Sequence, residues 1–118
     1  YTITDEDGLM ATAAVDVTFD QLPPVADDEM LVDQTINTDV VVDVLEGDDD
    51  PDGDNANLTI TQVAGQAITD GGAAVVLADL TEVKLVSGEL VVTPAMDSTE
   101  PVNFTYTVVD EDNLPDTG

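Results

Sequence analysis

The chain has no cysteine, no histidine and no tryptophan, and Lys84 is its one basic residue. Each absence excludes something. Without cysteine no disulfide can staple the fold, so an extracellular version of this protein needs another cross-link. Without Cys or His, the ligands that transition metals prefer are missing. One Lys against 27 Asp and Glu, a net charge of −26, rules out nucleic acid and anionic membrane as partners, because phosphate recognition needs clusters of Lys and Arg. No His or Cys stands near Ser87 or Ser98 to activate a nucleophile. A carboxylate pair of the glycosidase kind needs a cleft, which a small sandwich hardly offers. An enzyme is therefore not expected. Long apolar runs are also lacking: the longest, Ala73 to Ala78, is far too short for a membrane span, and no basic segment precedes an apolar one at the N-terminus.

What is present is pattern. Apolar residues make up 42% of the chain, too many and too regularly placed for a disordered polyanion. In "EPVNFTYTVVD", Val102, Phe104, Tyr106 and Val108 alternate with Asn103, Thr105 and Thr107, so one row faces a core and the other water. "TDVVVDVLEG" places Val40, Val42 and Val44 inward, and "ATAAVDVTFD" does the same with Ala13, Val15, Val17 and Phe19. Shorter runs at "LTITQV", "AAVVLA", "EVKLV" and "ELVVTP" are separated by turn signals such as Asp70-Gly71-Gly72 and Ser87-Gly88. No stretch keeps helical spacing. The expected fold is all-β, an antiparallel sandwich of the immunoglobulin type.

The opening "YTITDEDGL" returns as "YTVVDEDNL", with Tyr1 matching Tyr106 at an offset of 105 residues. That offset is one small domain long, so the chain reads as part of a tandem array. Residues 1–21 are expected to be the closing strands of a preceding repeat, residues 22–26 a connector stiffened by Pro23 and Pro24, and residues 27–118 a sandwich, its first strand near Met30, that lacks its last strand.

The chemistry lies in the acidic loops. "GDDDPDGDN" sets Asp48, Asp50 and Asp52 at alternate positions, followed by Gly53 and Asp54, so a tight turn can aim several carboxylates inward. Oxygen ligands alone point to a hard cation, and calcium is the expected one. An EF-hand is rejected, because its twelfth loop position would be Thr59 in place of Glu and no helices flank the loop. Sandwich topology gathers Asp27, Asp28, Asp48 to Asp54, and Asp110 and Asp112 at one pole, where Asp20 arrives from the preceding repeat. Asp5 and Asp7, the counterparts of Asp110 and Asp112, count as ligands by the same repeat. Asp16, Asp33, Asp43, Asp79 and Glu82 read as solvated faces that keep sheet edges from pairing.

"PPVADDE", "VVVDVLEGDDDPDGDNANLTITQV" and "LVVTPAMDSTEPVNFTYTVVDED" together resemble the bacterial cadherin-like or immunoglobulin-like tandem repeats of giant secreted adhesins of the RTX type. The resemblance spans nearly the whole chain. It implies a calcium-stiffened extender on a bacterial cell surface, whose partners are neighbouring identical repeats and Ca2+ ions. The alternative is a calcium-dependent module that binds sugar or ice through rows such as Thr2 and Thr4, Thr59 and Thr61, and Thr105 and Thr107, although alternating Thr is also ordinary strand composition. Residues 11–20 of one copy are further expected to complete the open edge of the next, giving head-to-tail strand complementation.

Overall fold

Alternation of Val with Asp and Thr gives strands throughout the computed structural model, which covers all 118 residues. Strands β1 (Thr2–Thr4) and β2 (Met10–Thr12) form a hairpin of their own. Eight more follow: β3 (Val40–Val42), β4 (Thr59–Val63), β5 (Gln66–Ala67), β6 (Val75–Val76), β7 (Glu82–Val86), β8 (Glu89–Thr93), β9 (Tyr106–Val109) and β10 (Pro115–Thr117). A single 3-10 turn, Asn55–Asn57, precedes β4, and there is no α-helix.

The eight strands make two antiparallel sheets, ordered β10-β9-β4-β5 and β3-β8-β7-β6. In immunoglobulin lettering, β3-β8-β7 is B-E-D and β4-β9-β10 is C-F-G, with β5 as C′. The sandwich is therefore immunoglobulin-like. Tight turns set the register: Ser87 and Gly88 both have positive φ, 55° and 85°, and so do Ala64 and Gly65, at 49° and 71°, the two-residue geometry that matches strand twist.

Inward rows from both sheets build the core. Val63, Val83, Leu90 and Val108 are wholly enclosed between them, with Ile60, Leu85, Val92 and Tyr106 around. Burying such a side chain stabilises by roughly 1.5–3 kcal/mol relative to leaving it in water. Pro24 of the connector is also wholly buried, so the chain entering the sandwich is part of its packing.

The repeat extends to hydrogen bonds. Thr2 pairs with Thr12 in the first hairpin, and Thr107 with Thr117 in the second. Asp5 Oδ1 accepts the N–H groups of Asp7 and Leu9 at 3.0 and 2.9 Å, and Asp110 Oδ1 accepts those of Asp112 and Leu114 at 2.9 and 2.8 Å. The Ala13 N–H donates to Tyr1 O, as the Gly118 N–H does to Tyr106 O. The two similar stretches are thus the same hairpin folded twice.

Four expectations need correction. Residues 13–20 form no strand, and Val15, Val17 and Phe19 are 68%, 65% and 90% exposed, because no strand of this chain lies beside them. No strand begins near Met30, which is 88% exposed. The strand expected from Val102 starts only at Tyr106, with Phe104 half-buried ahead of it. The last strand of the sandwich, expected to be missing, is begun by β10. The molecule measures 87 × 26 × 21 Å, since the first hairpin and the segment after it stand off the sandwich. Between β3 and residues 98–104 lies an open groove of about 870 Å³, lined by Val40, Val42, Val44 and Phe104 among others.

Candidate metal centre

The loop between β3 and the 3-10 turn alternates as a strand does, and its alternation decides which acids turn in. Asp48 and Asp50 are buried, at 4% and 6% exposure, while Asp49, Asp52 and Asp54 are exposed. Asn55 braces the loop from within: its Oδ1 accepts the Asp50 N–H at 2.7 Å, and its Nδ2 donates to Asp48 O and Asp49 Oδ1. Asp54 caps the following turn by accepting the Ala56 N–H at 3.1 Å. Gly53 is required for space, since a Cβ there would run into Asp50 Oδ2 and stand 2.6 Å from Glu111 Oε1.

Asp48 is satisfied from the protein itself. Its Oδ1 accepts the Asp27 N–H at 2.9 Å, and the Tyr106 hydroxyl lies 3.0 Å from Oδ1 and 3.2 Å from Oδ2. That hydroxyl also reaches Asp27 O and Val44 O, at 2.9 and 3.0 Å, but its one proton serves one acceptor at a time, and the carboxylate is the strongest. Burial, opposed by the Asp27 and Tyr106 bonds, pushes the Asp48 carboxyl above its usual range. Burial beside Asp48 raises the phenol of Tyr106. Burial, then the charge of Asp48, raises Glu29 as well.

The connector enters this pole and is fixed to it residue by residue. The Leu22 N–H donates to Asp52 Oδ2 at 2.9 Å, the Ala26 N–H to Asp116 Oδ2 at 2.9 Å, and the Asp27 N–H to Asp48 Oδ1. Val25 and Asp49 exchange backbone bonds of 2.8 and 3.0 Å, a single antiparallel bridge. Hydrogen bonds to carboxylates are roughly twice as strong as neutral ones. The joint is therefore anchored by the acids around it.

Two carboxylate oxygens at the pole have no partner. Asp50 Oδ2 and Asp110 Oδ2 are fully shielded from water and accept no hydrogen bond. Asp50 instead meets the carboxylate of Glu111, and burial followed by that contact raises the Asp50 carboxyl. Buried oxygens without donors fit a hard cation, which the acids would hold by their free lone pairs. No three carboxylates are already drawn together at metal-ligand spacing.

Of the residues expected as ligands, Asp27, Asp48, Asp50 and Asp52 lie at this pole, with Asp27 Oδ2 against Gly47, while Asp110 is buried and closes the β9–β10 turn. Asp20, Asp28 and Asp112 present exposed side chains that make no hydrogen bond. Asp5 closes its own hairpin turn, and Asp7 is exposed beside it. Sequence pattern alone does not single out Glu29, Glu111 or Asp116 as site residues, and it places Tyr106 in the core row only. Glu111 was within reach of inference, as the middle of the repeated Asp-Glu-Asp triplet.

The family model for the bacterial Ig domain matches residues 20–118. No curated protein and no solved structure matches the chain.

Proposed function

The chain belongs to the bacterial Ig-domain family, and from that premise we propose that it is an extender repeat of a large bacterial surface adhesin, stiffened by calcium where repeats join. Bacterial Ig-like domains are structural modules, typically non-enzymatic and usually found in extracellular or surface proteins. The observation that carries the proposal is the connector: the amides of Leu22, Ala26 and Asp27 donate to the carboxylates of Asp52, Asp116 and Asp48, the Val25 amide pairs with the Asp49 backbone, and Asp50 Oδ2 and Asp110 Oδ2 lie buried without donors. A joint built this way transmits the orientation of one repeat to the next. Calcium, when bound, would supply positive charge among carboxylates that otherwise repel. Asp48, Asp50, Asp110 and Glu111 would hold it, while Asp52 and Asp116 keep the connector in place.

A ligand-binding reading has less support. Thr107 and Thr117, like Thr2 and Thr12, face each other within hydrogen-bond reach, and Thr61 donates to Thr107 O, so these hydroxyls have partners inside the sheet. The head-to-tail pairing belongs to the same proposal: Val15, Val17 and Phe19 form an exposed alternating row, and the groove lined by Val40, Val42 and Phe104 suits an apolar strand from another copy. Small-angle scattering on a tandem of these repeats tests the extender. A rod in calcium that shortens or becomes variable in chelator supports it, whereas equal maximum dimensions in both conditions would leave the joint to Pro23, Pro24 and the hydrogen bonds alone.

A further inference from the structure

The two hairpins match in their hydrogen bonds but differ at two places that bear on the connector. Asp116 pairs with Val108, and at the matching position of the first hairpin Ala11 pairs with Ile3. Gly118 exchanges backbone bonds with Tyr106, as Ala13 does with Tyr1. A carboxylate and a bare backbone in the second hairpin are therefore two methyl groups in the first.

Both differences touch the incoming chain. Asp116 Oδ2 accepts the Ala26 N–H at 2.9 Å, a bond that alanine cannot make. Gly118 stands against the Tyr106 ring, and a Cβ added to it would lie 2.7 Å from Cε1 and Cζ and 2.6 Å from Asp27 O. Contacts that short force the ring or the connector aside. The Tyr106 hydroxyl reaches Asp27 O at 2.9 Å and the Asp27 N–H donates to Asp48 at 2.9 Å, so a shift of either one unseats Asp27. Gly118 is thus a positioning residue: its missing side chain lets Tyr106 and Asp27 close on Asp48.

We propose that Asp116 and Gly118 together lock the incoming connector, and that the array also contains unlocked joints. A repeat closed by a hairpin of the Ala11 and Ala13 kind receives its own connector without the carboxylate anchor and with a methyl group against the counterpart of Asp27. This rests on the tandem-repeat reading above and adds that joints differ in stiffness from one repeat to the next, according to two positions of the closing hairpin. An extender with both kinds bends at set places. The lock works without calcium, because neither residue is among those that would hold the ion.

Amide hydrogen exchange in chelator tests the lock, on the full chain and on Asp116→Ala, Asp116→Asn, Gly118→Ala and the double variant Asp116→Ala with Gly118→Ala. Exchange at Ala26 should quicken by at least about tenfold in Asp116→Ala, which removes a bond to a charged acceptor, and Asp116→Asn, which keeps an oxygen there, should recover part of the loss. In Gly118→Ala the loss should appear at Asp27. Amides of β8 should stay protected, which shows that the sandwich folds; if Gly118→Ala exposes them, Asp116→Ala decides alone. The reverse pair, Ala11→Asp with Ala13→Gly, should leave residues 22–118 unchanged, since the first hairpin stands off the sandwich. In a tandem of two repeats, the double variant placed in the second copy should give a shorter or more variable rod in calcium by small-angle scattering. Protection kept at Ala26 and Asp27, or a tandem of unchanged dimensions, overturns this inference. An unsubstituted tandem whose dimensions ignore calcium overturns the calcium reading and leaves the lock standing.

Discussion

The Tyr106 hydroxyl stands 3.0 Å from Oδ1 of Asp48, and this contact joins the start of β9 to the acidic loop and to the connector. Both residues are buried, so the hydroxyl is the donor that makes an enclosed carboxylate tolerable. Asp27 completes the arrangement, its amide donating to Asp48 and its carbonyl facing the Tyr106 hydroxyl. A core residue and a site residue are here one group.

Tyr106→Phe should therefore cost more than its small change in volume suggests. It leaves Asp48 short of a donor, and an unsatisfied buried polar partner costs about 1–3 kcal/mol. Chemical denaturation should show that loss with an unchanged slope. A variant within 0.5 kcal/mol of the original would mean that Asp48 draws its stability elsewhere.

Stability in chelator should fall as pH rises from the acid side toward neutrality. Burial raises Asp48 and Glu29 above their ordinary values of 3.8 and 4.5, so the folded chain holds protons that the unfolded chain has released. The contribution is complete below the unfolded values and is lost as pH climbs through the raised folded ones. Melts at pH 4.5 and 7 without divalent ions, read at about the same ionic strength, check the sign. A higher midpoint at pH 7 would contradict it.

Asp52→Ala should free the connector without unfolding the sandwich. Hydrogen exchange should lose protection at Leu22, whose N–H donates to Asp52, while amides of β8 stay protected. Protection unchanged at Leu22 would show that the bond is not what holds the connector.

Phe19→Ser should be near neutral in the isolated chain, within about 0.5 kcal/mol, because Phe19 is 90% exposed. Leu90→Ala should cost about 2–5 kcal/mol, since Leu90 is wholly enclosed. Equal costs would place residues 13–20 in the core after all.

The contrast between those two residues shows what the sequence could and could not convey. Alternation revealed Val40, Val42 and Val44, and Tyr106 and Val108, because period-two patterning is itself the cause of a half-buried strand. The same pattern misled at Val15, Val17 and Phe19, where alternation is present but this chain offers no neighbouring strand. The acidic loop was legible as Asp48, Asp50 and Asp52 at alternate positions. Their division of labour was not, because it depends on long-range partners: Asp48 turns to Tyr106, Asp52 to Leu22, and Asp50 to Glu111.

Thermal unfolding in millimolar calcium and in chelator tests the central claim most directly. A ligand that binds only the folded state adds RT ln(1 + [L]/Kd), about 1.4 kcal/mol per site at tenfold excess over Kd. For a domain of this size that is a rise of several degrees per site, accompanied by a stronger strand signal. An upward shift that magnesium at equal ionic strength fails to reproduce is the predicted result. Midpoints and strand signal that coincide in calcium and chelator would contradict the account.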